Sequence, residues 1–233
     1  MPSLAGLFFW MNIKLEKIKK LEVTKPLKLD CGKTINNFPL AYETYGKLNE
    51  NKDNAILVFH ALTGDQFVTG TNPITKKEGW WITAVGPDKA IDTNKYFVIC
   101  ANVIGGCMGS LGPKNINPET KAPYGLDFPV ITIKDIIRAQ ESLLEHLGIK
   151  KLLCATGGSM GGMQLLQFCT TFPDKTFSAV PIACSSSHSA QNIALNELAR
   201  QAMMADPVWN NGKYVLKNIQ PKNGLAVARM VGH

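Results

Sequence analysis

The sequence predicts an α/β fold built on a mostly parallel central sheet. Short continuous apolar runs recur along the chain: AILVF at 55–59, YFVICA at 96–101, KLLCA at 151–155 and SAVPIA at 178–183. Such runs suit strands buried on both faces. Helical patterns separate them, which is the alternation expected of a parallel sheet. A glycine-rich turn, Gly157-Gly158-Ser159-Met160-Gly161, joins the third run to an apolar helix.

The bulk numbers bound the function. A chain of 233 residues that is 45% hydrophobic and 18% charged is long and apolar enough for one globular core. The net charge of +7 is spread along the sequence rather than gathered. Its densest cluster is Lys14, Lys17, Lys19 and Lys20, interleaved with apolar residues, and reads as the solvated edge of a strand or helix rather than a surface for an anionic partner. The six cysteines form no CxxC pair and no metal-ligand spacing. Cys100 and Cys154 fall in apolar runs and read as buried thiols of a reducing cytoplasm, so a cytoplasmic location is expected. The opening MPSLAGLFFW lacks a basic leader and a cleavage site and is too short to span a bilayer. Met11 follows it directly, so residues 1–20 are expected to be an extension with an alternative start at Met11. No other segment is a membrane candidate, and neither a nucleic acid nor a membrane is expected as partner.

The elements follow in order. Residues 17–26 and 41–46 suggest an antiparallel opening to the sheet. The run at 55–59 is the first buried strand, and His60-Ala61-Leu62-Thr63-Gly64 is the loop that leaves it. A second strand covers 96–101. Thr132 and Asp135 then resemble a capping box, and Ile133, Ile136, Ile137, Leu143, Leu144 and Leu147 share one helical face. Gly148 supplies the stop. The strand at 151–155 completes a βαβ unit and runs into the turn at Ser159, followed by a helix over 160–172. The run at 178–183 is the fourth strand, although Pro181 suits a strand interior poorly. Ser185, Ser186 and Ser187 form a loop, and 190–205 is a good helix former throughout. Pro207, Asn210, Asn211 and Gly212 mark a turn. Residues 21–184 are therefore expected to be the core and 185–233 an inserted helical layer.

The chemistry centres on Ser159. A sharp strand-to-helix turn exposes a serine hydroxyl, and glycines on either side avoid clashes with the neighbouring strand and helix. The helix N-terminus aims free N–H groups at a developing anion. The loop after the 55–59 strand supplies a second donor, so the amides of Leu62 and Met160 are the expected oxyanion pair, while His60 itself is read as structural. Cys107, in the loop Gly105-Gly106-Cys107-Met108-Gly109-Ser110, has no assignable histidine partner and is read as a residue near the pocket.

Five motifs in one order carry a resemblance: HALTGD at 60–65, NVIGGCMGSLGP at 102–113, PYGLDFP at 123–129, GGSMGGM at 157–163 and GLAVARM at 224–230. Over about residues 20 to 233 the chain resembles the homoserine O-acetyltransferase family, kin of the homoserine and serine O-succinyltransferases, with the α/β-hydrolase fold and an inserted helical cap. The resemblance implies ping-pong acyl transfer. Ser159 attacks the thioester of acetyl-CoA, the amides of Leu62 and Met160 hold the oxyanion, and the hydroxyl of L-homoserine then takes the acetyl group, a step of methionine biosynthesis. Arg229 matches the family's arginine for the substrate α-carboxylate, which a guanidinium fork suits. Acetyl-CoA enters as co-substrate, with no bound cofactor or metal, and a homodimer through the cap is implied.

The resemblance places the triad acid and base downstream of the GLAVARM segment. Only His188 and His233 follow Ser159, and Asp174 reads as a turn residue, so neither triad partner is assigned. The chain is expected to stop short, to lack the last strands of the sheet, and to be impaired as an enzyme. Acetyl and succinyl donors, and homoserine and serine acceptors, both stay open. A serine hydrolase of the same fold and an inactive fragment are the alternatives.

Overall fold

The computed structural model describes residues 18–217 and 219–232. Lys14, Lys17, Met11, most of the expected extension and His233 lie outside the described residues. The strands are β1 (Lys20–Val23), β2 (Leu27–Lys28), β3 (Thr34–Ile35), β4 (Phe38–Tyr45), β5 (Ala55–Phe59), β6 (Val85–Gly86), β7 (Ile91–Asp92), β8 (Phe97–Ala101), β9 (Leu152–Gly158) and β10 (Thr176–Ile182); the helices are α1 (Ile133–Leu147), α2 (Met160–Thr171), α3 (Ala190–Met204) and α4 (Lys222–Val231). Two compact units share them. The first takes residues 18–111 and Pro129–Cys184, and the second takes Gly112–Phe128 and the chain from Ser185 onward. Residues 112–128, expected within the core, thus belong with the helical part instead.

In the first unit a six-stranded sheet runs in the order β1-β4-β8-β5-β9-β10. β1 pairs antiparallel with β4, and β4 with β8. From β8 through β5 and β9 to β10 every pairing is parallel. All five residues of β5 and all five of β8 are buried, as strands covered on both faces require. The register sets Phe59, the last residue of β5, opposite Gly157 in β9, so the β5 exit loop leaves the sheet beside the turn at Ser159.

The helix α1 forms as its sequence directs. The Thr132 side chain accepts from the Asp135 amide, and Asp135 reciprocates to the Thr132 amide at 2.9 Å. Gly148 closes the other end at φ 69, a left-handed conformation that glycine adopts without strain. Ile136, Ile137, Leu143 and Leu144 are buried, whereas Ile133 and Leu147, at the two ends, are half-buried.

The strand β10 departs from expectation. Phe177 is 78% exposed, and Val180 and Ile182 are also open to solvent. Among the described residues β10 pairs with β9 alone, which is also why Pro181 is tolerated: an edge strand loses little from a missing N–H. Its apolar run signals burial that the described residues do not supply.

The second unit packs α3 against α4. Gly224 is the contact point, since a Cβ there would lie 2.5 Å from the carbonyl oxygen of Ala202. Asp206 ties the approach to α4, its carboxylate accepting the amides of Val208 and Gly224 at 2.9 Å each. These bonds, that from Gly224 foremost, hold its pKa below the usual range. Asn210, Asn211 and Gly212 all have positive φ and make the expected turn.

Candidate active site

Ser159 sits between β9 and α2 at φ 55, ψ −123, a conformation few non-glycine residues adopt. Its amide donates to the carbonyl of Ile182 in β10 at 3.0 Å, and its carbonyl accepts the Met163 amide, the first bond of the helix. The backbone is thereby held while the side chain stays exposed, with no hydrogen bond on its hydroxyl among the described residues.

The neighbouring glycines explain how the turn closes. A Cβ on Gly161 would stand 2.1 Å from the Phe59 carbonyl oxygen, and one on Gly157 2.6 Å from backbone atoms of Gly161. Helix and strand approach so closely that neither position has room for a side chain. Gly158 is different, for a Cβ there meets only the Ile182 carbonyl oxygen, at 3.9 Å.

Met160 opens α2, where the helix dipole is positive, and its amide has no acceptor among the described residues. The Leu62 amide likewise has none, and the Leu62 side chain is largely exposed. Both belong to elements that meet at one place, because the carbonyl of His60 lies 3.2 Å from where a Gly161 Cβ would be.

His60 does not face the serine. Its ring is buried; Nε2 accepts the Val103 amide at 3.2 Å and Nδ1 meets the Ala61 carbonyl at 2.8 Å, so Nδ1 carries the proton. Burial pushes its pKa down and keeps it neutral. His188 contacts Asn196 on α3, with which it shares the second unit, and His146 is exposed at the end of α1. No described histidine bonds to the Ser159 hydroxyl. Arg229 lies in the last turn of α4, in the second unit.

The site has a residue that reading the sequence passed over. Gln164 is fully buried in α2 and bonds to the carbonyl of His60. The signal was present: Gln164 shares the inward stripe of Gly161, Leu165 and Phe168, where a polar residue needs a buried partner. No cluster of three or more metal-ligating side chains gathers among the described residues. A cavity of about 420 Å³ opens near Tyr45, Thr69, Ile82, Pro87, Lys89 and Thr93. Tyr45 is in register with Val98 near the start of β8, whereas Ser159 follows the C-terminal end of β9, so this cavity lies at the other end of the sheet from the serine. No described helix is long and apolar enough to cross a membrane.

Known proteins resemble this arrangement. The α/β-hydrolase-fold family model matches residues 54–233. The chain is 67% identical over 223 residues to a homoserine O-acetyltransferase of Pelagibacter ubique, covering 96% of this chain and 60% of that protein. With the homoserine O-acetyltransferase of Nitrobacter hamburgensis the identity is 61% over 209 residues, covering 90% and 52%. Among solved structures, homoserine O-acetyltransferase from Bacillus anthracis superposes with a TM-score of 0.85 at 32% identity, covering 93% and 59%. Esterase E22 gives 0.81 at 34%, covering 92% and 59%. The chain thus spans little more than half the length of the relatives it matches. A serine on a strained strand-to-helix turn, beside the exit of a buried parallel strand, agrees with the family match: the chain belongs to the α/β-hydrolase-fold family.

Proposed function

We propose that this chain carries the nucleophile half of an O-acetyltransferase site. The observation that carries the reading is Ser159 itself, held at φ 55 with its hydroxyl unengaged and with acceptor-less amides at Leu62 and Met160. The high identity to proteins named homoserine O-acetyltransferase supports homoserine and an acetyl donor as the substrate class. In the reaction Ser159 Oγ attacks the thioester carbonyl of acetyl-CoA as its proton passes to a general base. The carbonyl oxygen becomes an oxyanion facing Leu62 and Met160, and one such donor is typically worth ~3–4 kcal/mol of barrier. The C–S bond breaks, coenzyme A leaves protonated as the thiol, and Ser159 holds the acetyl ester. The hydroxyl of homoserine then attacks that ester, its proton passing to the departing serine oxygen, which frees Ser159. Biosynthetic work of this kind belongs to the cytoplasm and to methionine formation.

The second reading is hydrolysis, favoured by the structural similarity to esterase E22. Thiol release from acetyl-CoA with and without L-homoserine separates the two. Release that depends on homoserine supports transfer, and release independent of it supports hydrolysis. Absence of acetyl on Ser159 by mass spectrometry after prolonged incubation would sink both.

A further inference from the structure

The buried polar groups around the β5 exit loop converge on a single peptide bond, between Ala61 and Leu62. The carbonyl of Ala61 receives two donors, the Gly64 amide at 2.9 Å and Nδ1 of His60 at 2.8 Å. The C=O and N–H of a trans peptide point in opposite directions. Holding the Ala61 oxygen therefore aims the Leu62 N–H the other way. The His60 ring is itself fixed, since Nε2 accepts the Val103 amide.

The preceding peptide is fixed as well. Gln164 Nε2 donates to the carbonyl of His60 at 3.0 Å, and Gln164 Oε1 accepts from Gln140 Nε2 at 3.1 Å. The amide has one workable orientation, because a carbonyl turned toward the His60 oxygen would set two acceptors face to face. Gln164 stands one helical turn beyond Met160. A single short helix therefore carries one of the two oxyanion amides, Met160, in its first turn and clamps the loop that carries the other.

We infer that His60 and Gln164 are positioning residues: His60 orients the Leu62 amide, and Gln164 fixes its distance from the Met160 amide. This rests on the reading of Ser159 as an acyl acceptor. Neither side chain touches the reacting atoms. Each acts through the backbone.

The test uses the 233-residue chain with p-nitrophenyl acetate. Acetylation of Ser159 is followed by mass spectrometry against ester concentration, and amide hydrogen exchange of residues 61–64 is followed in parallel. His60→Asn keeps an N–H near the Nδ1 position, His60→Phe fills the ring volume without one, and Gln164→Met fills its site without an amide. His60→Phe and Gln164→Met should lower the limiting acetylation rate by about tenfold or more, since a full oxyanion donor is worth 10²–10³. The half-saturating ester concentration should stay unchanged and the Gly64 amide should exchange faster. His60→Asn should recover most of both. Equal losses in His60→Phe and His60→Asn, or unchanged rate and exchange in His60→Phe and Gln164→Met, overturn the inference. If His60→Phe does not fold, Gln164→Met decides. If the unaltered chain is never acetylated, the acyl-acceptor reading fails, and exchange alone still judges the clamp: faster exchange in the variants supports it and unchanged exchange overturns it.

Discussion

Gly161 lies so close to Phe59 that a single added methyl would stand 2.1 Å from the Phe59 carbonyl oxygen. The nucleophile turn is closed by that contact. The helix cannot come nearer the strand, and a side chain would force it away. The same approach lets the Phe168 ring reach Phe59, with centroids 5.7 Å apart.

Gly161→Ala is therefore expected to cost more than its helix propensity gains. The clash is with backbone, which cannot rotate aside, and overpacking of this sort costs typically ~1–3 kcal/mol. Lifting α2 from β5 also separates Met160 from the loop of Leu62. Chemical denaturation should show lower stability, and acetylation of Ser159 should fall with it. A Gly161→Ala chain as stable as the original, with Ser159 equally reactive, would contradict the close-approach account.

Ser159 bears strain that its chemistry requires. A residue other than glycine at φ 55, ψ −123 pays ~1–3 kcal/mol for the conformation. Ser159→Gly removes that cost and should raise the unfolding free energy by a good part of it. Ser159→Ala keeps the Cβ and should not. Both lose any acetyl labelling at this position. The measurement is paired denaturation of the two variants, and equal stabilities would show that the turn is unstrained.

How much of this was legible in the sequence depends on what each feature rests upon. β5 occurs at the span its apolar run marks, and α1 has the caps its termini spell out, because burial and capping are local to the sequence. The sharp turn was legible for the same reason, since its glycines stood between a strand-like run and a helix-like run, adjacent in the sequence. β10 misled, since an apolar run reports a preference for burial and not which neighbours provide it. The grouping of residues 112–128 with the helical unit is a long-range fact, settled by contacts such as Gly212 against Leu126, where a Cβ would lie 2.5 Å from the leucine. Gln164 was visible as a polar residue on an apolar stripe, but its partner, a carbonyl 104 residues earlier, was not.

Asp65, at the end of the HALTGD motif, gives the chain a pH dependence of unusual sign. Its carboxyl accepts the Phe67 amide at 2.8 Å and the Asn72 side-chain amide at 3.1 Å, yet burial outweighs both and pushes its pKa up to about 6. The buried Cys100 thiol, 3.7 Å from the Asp65 carbonyl oxygen, contributes no compensating positive charge. The native state thus holds this proton more tightly than the unfolded chain, whose aspartates titrate near ~3.9. The neutral carboxyl's advantage is complete below that value and is lost as pH rises through 6, amounting to about 2–3 kcal/mol. Asp30, Asp92 and Asp206, whose pKa values are lowered by hydrogen bonds, act in the opposite direction and in a more acidic window. Asp65→Asn cannot ionise and keeps an oxygen for the Phe67 amide. Denaturation of the two chains between about pH 4.5 and 7 should therefore show the original losing stability relative to Asp65→Asn as pH rises. Parallel curves would mean that Asp65 is ionised throughout, and that the loop after β5 tolerates a buried charge.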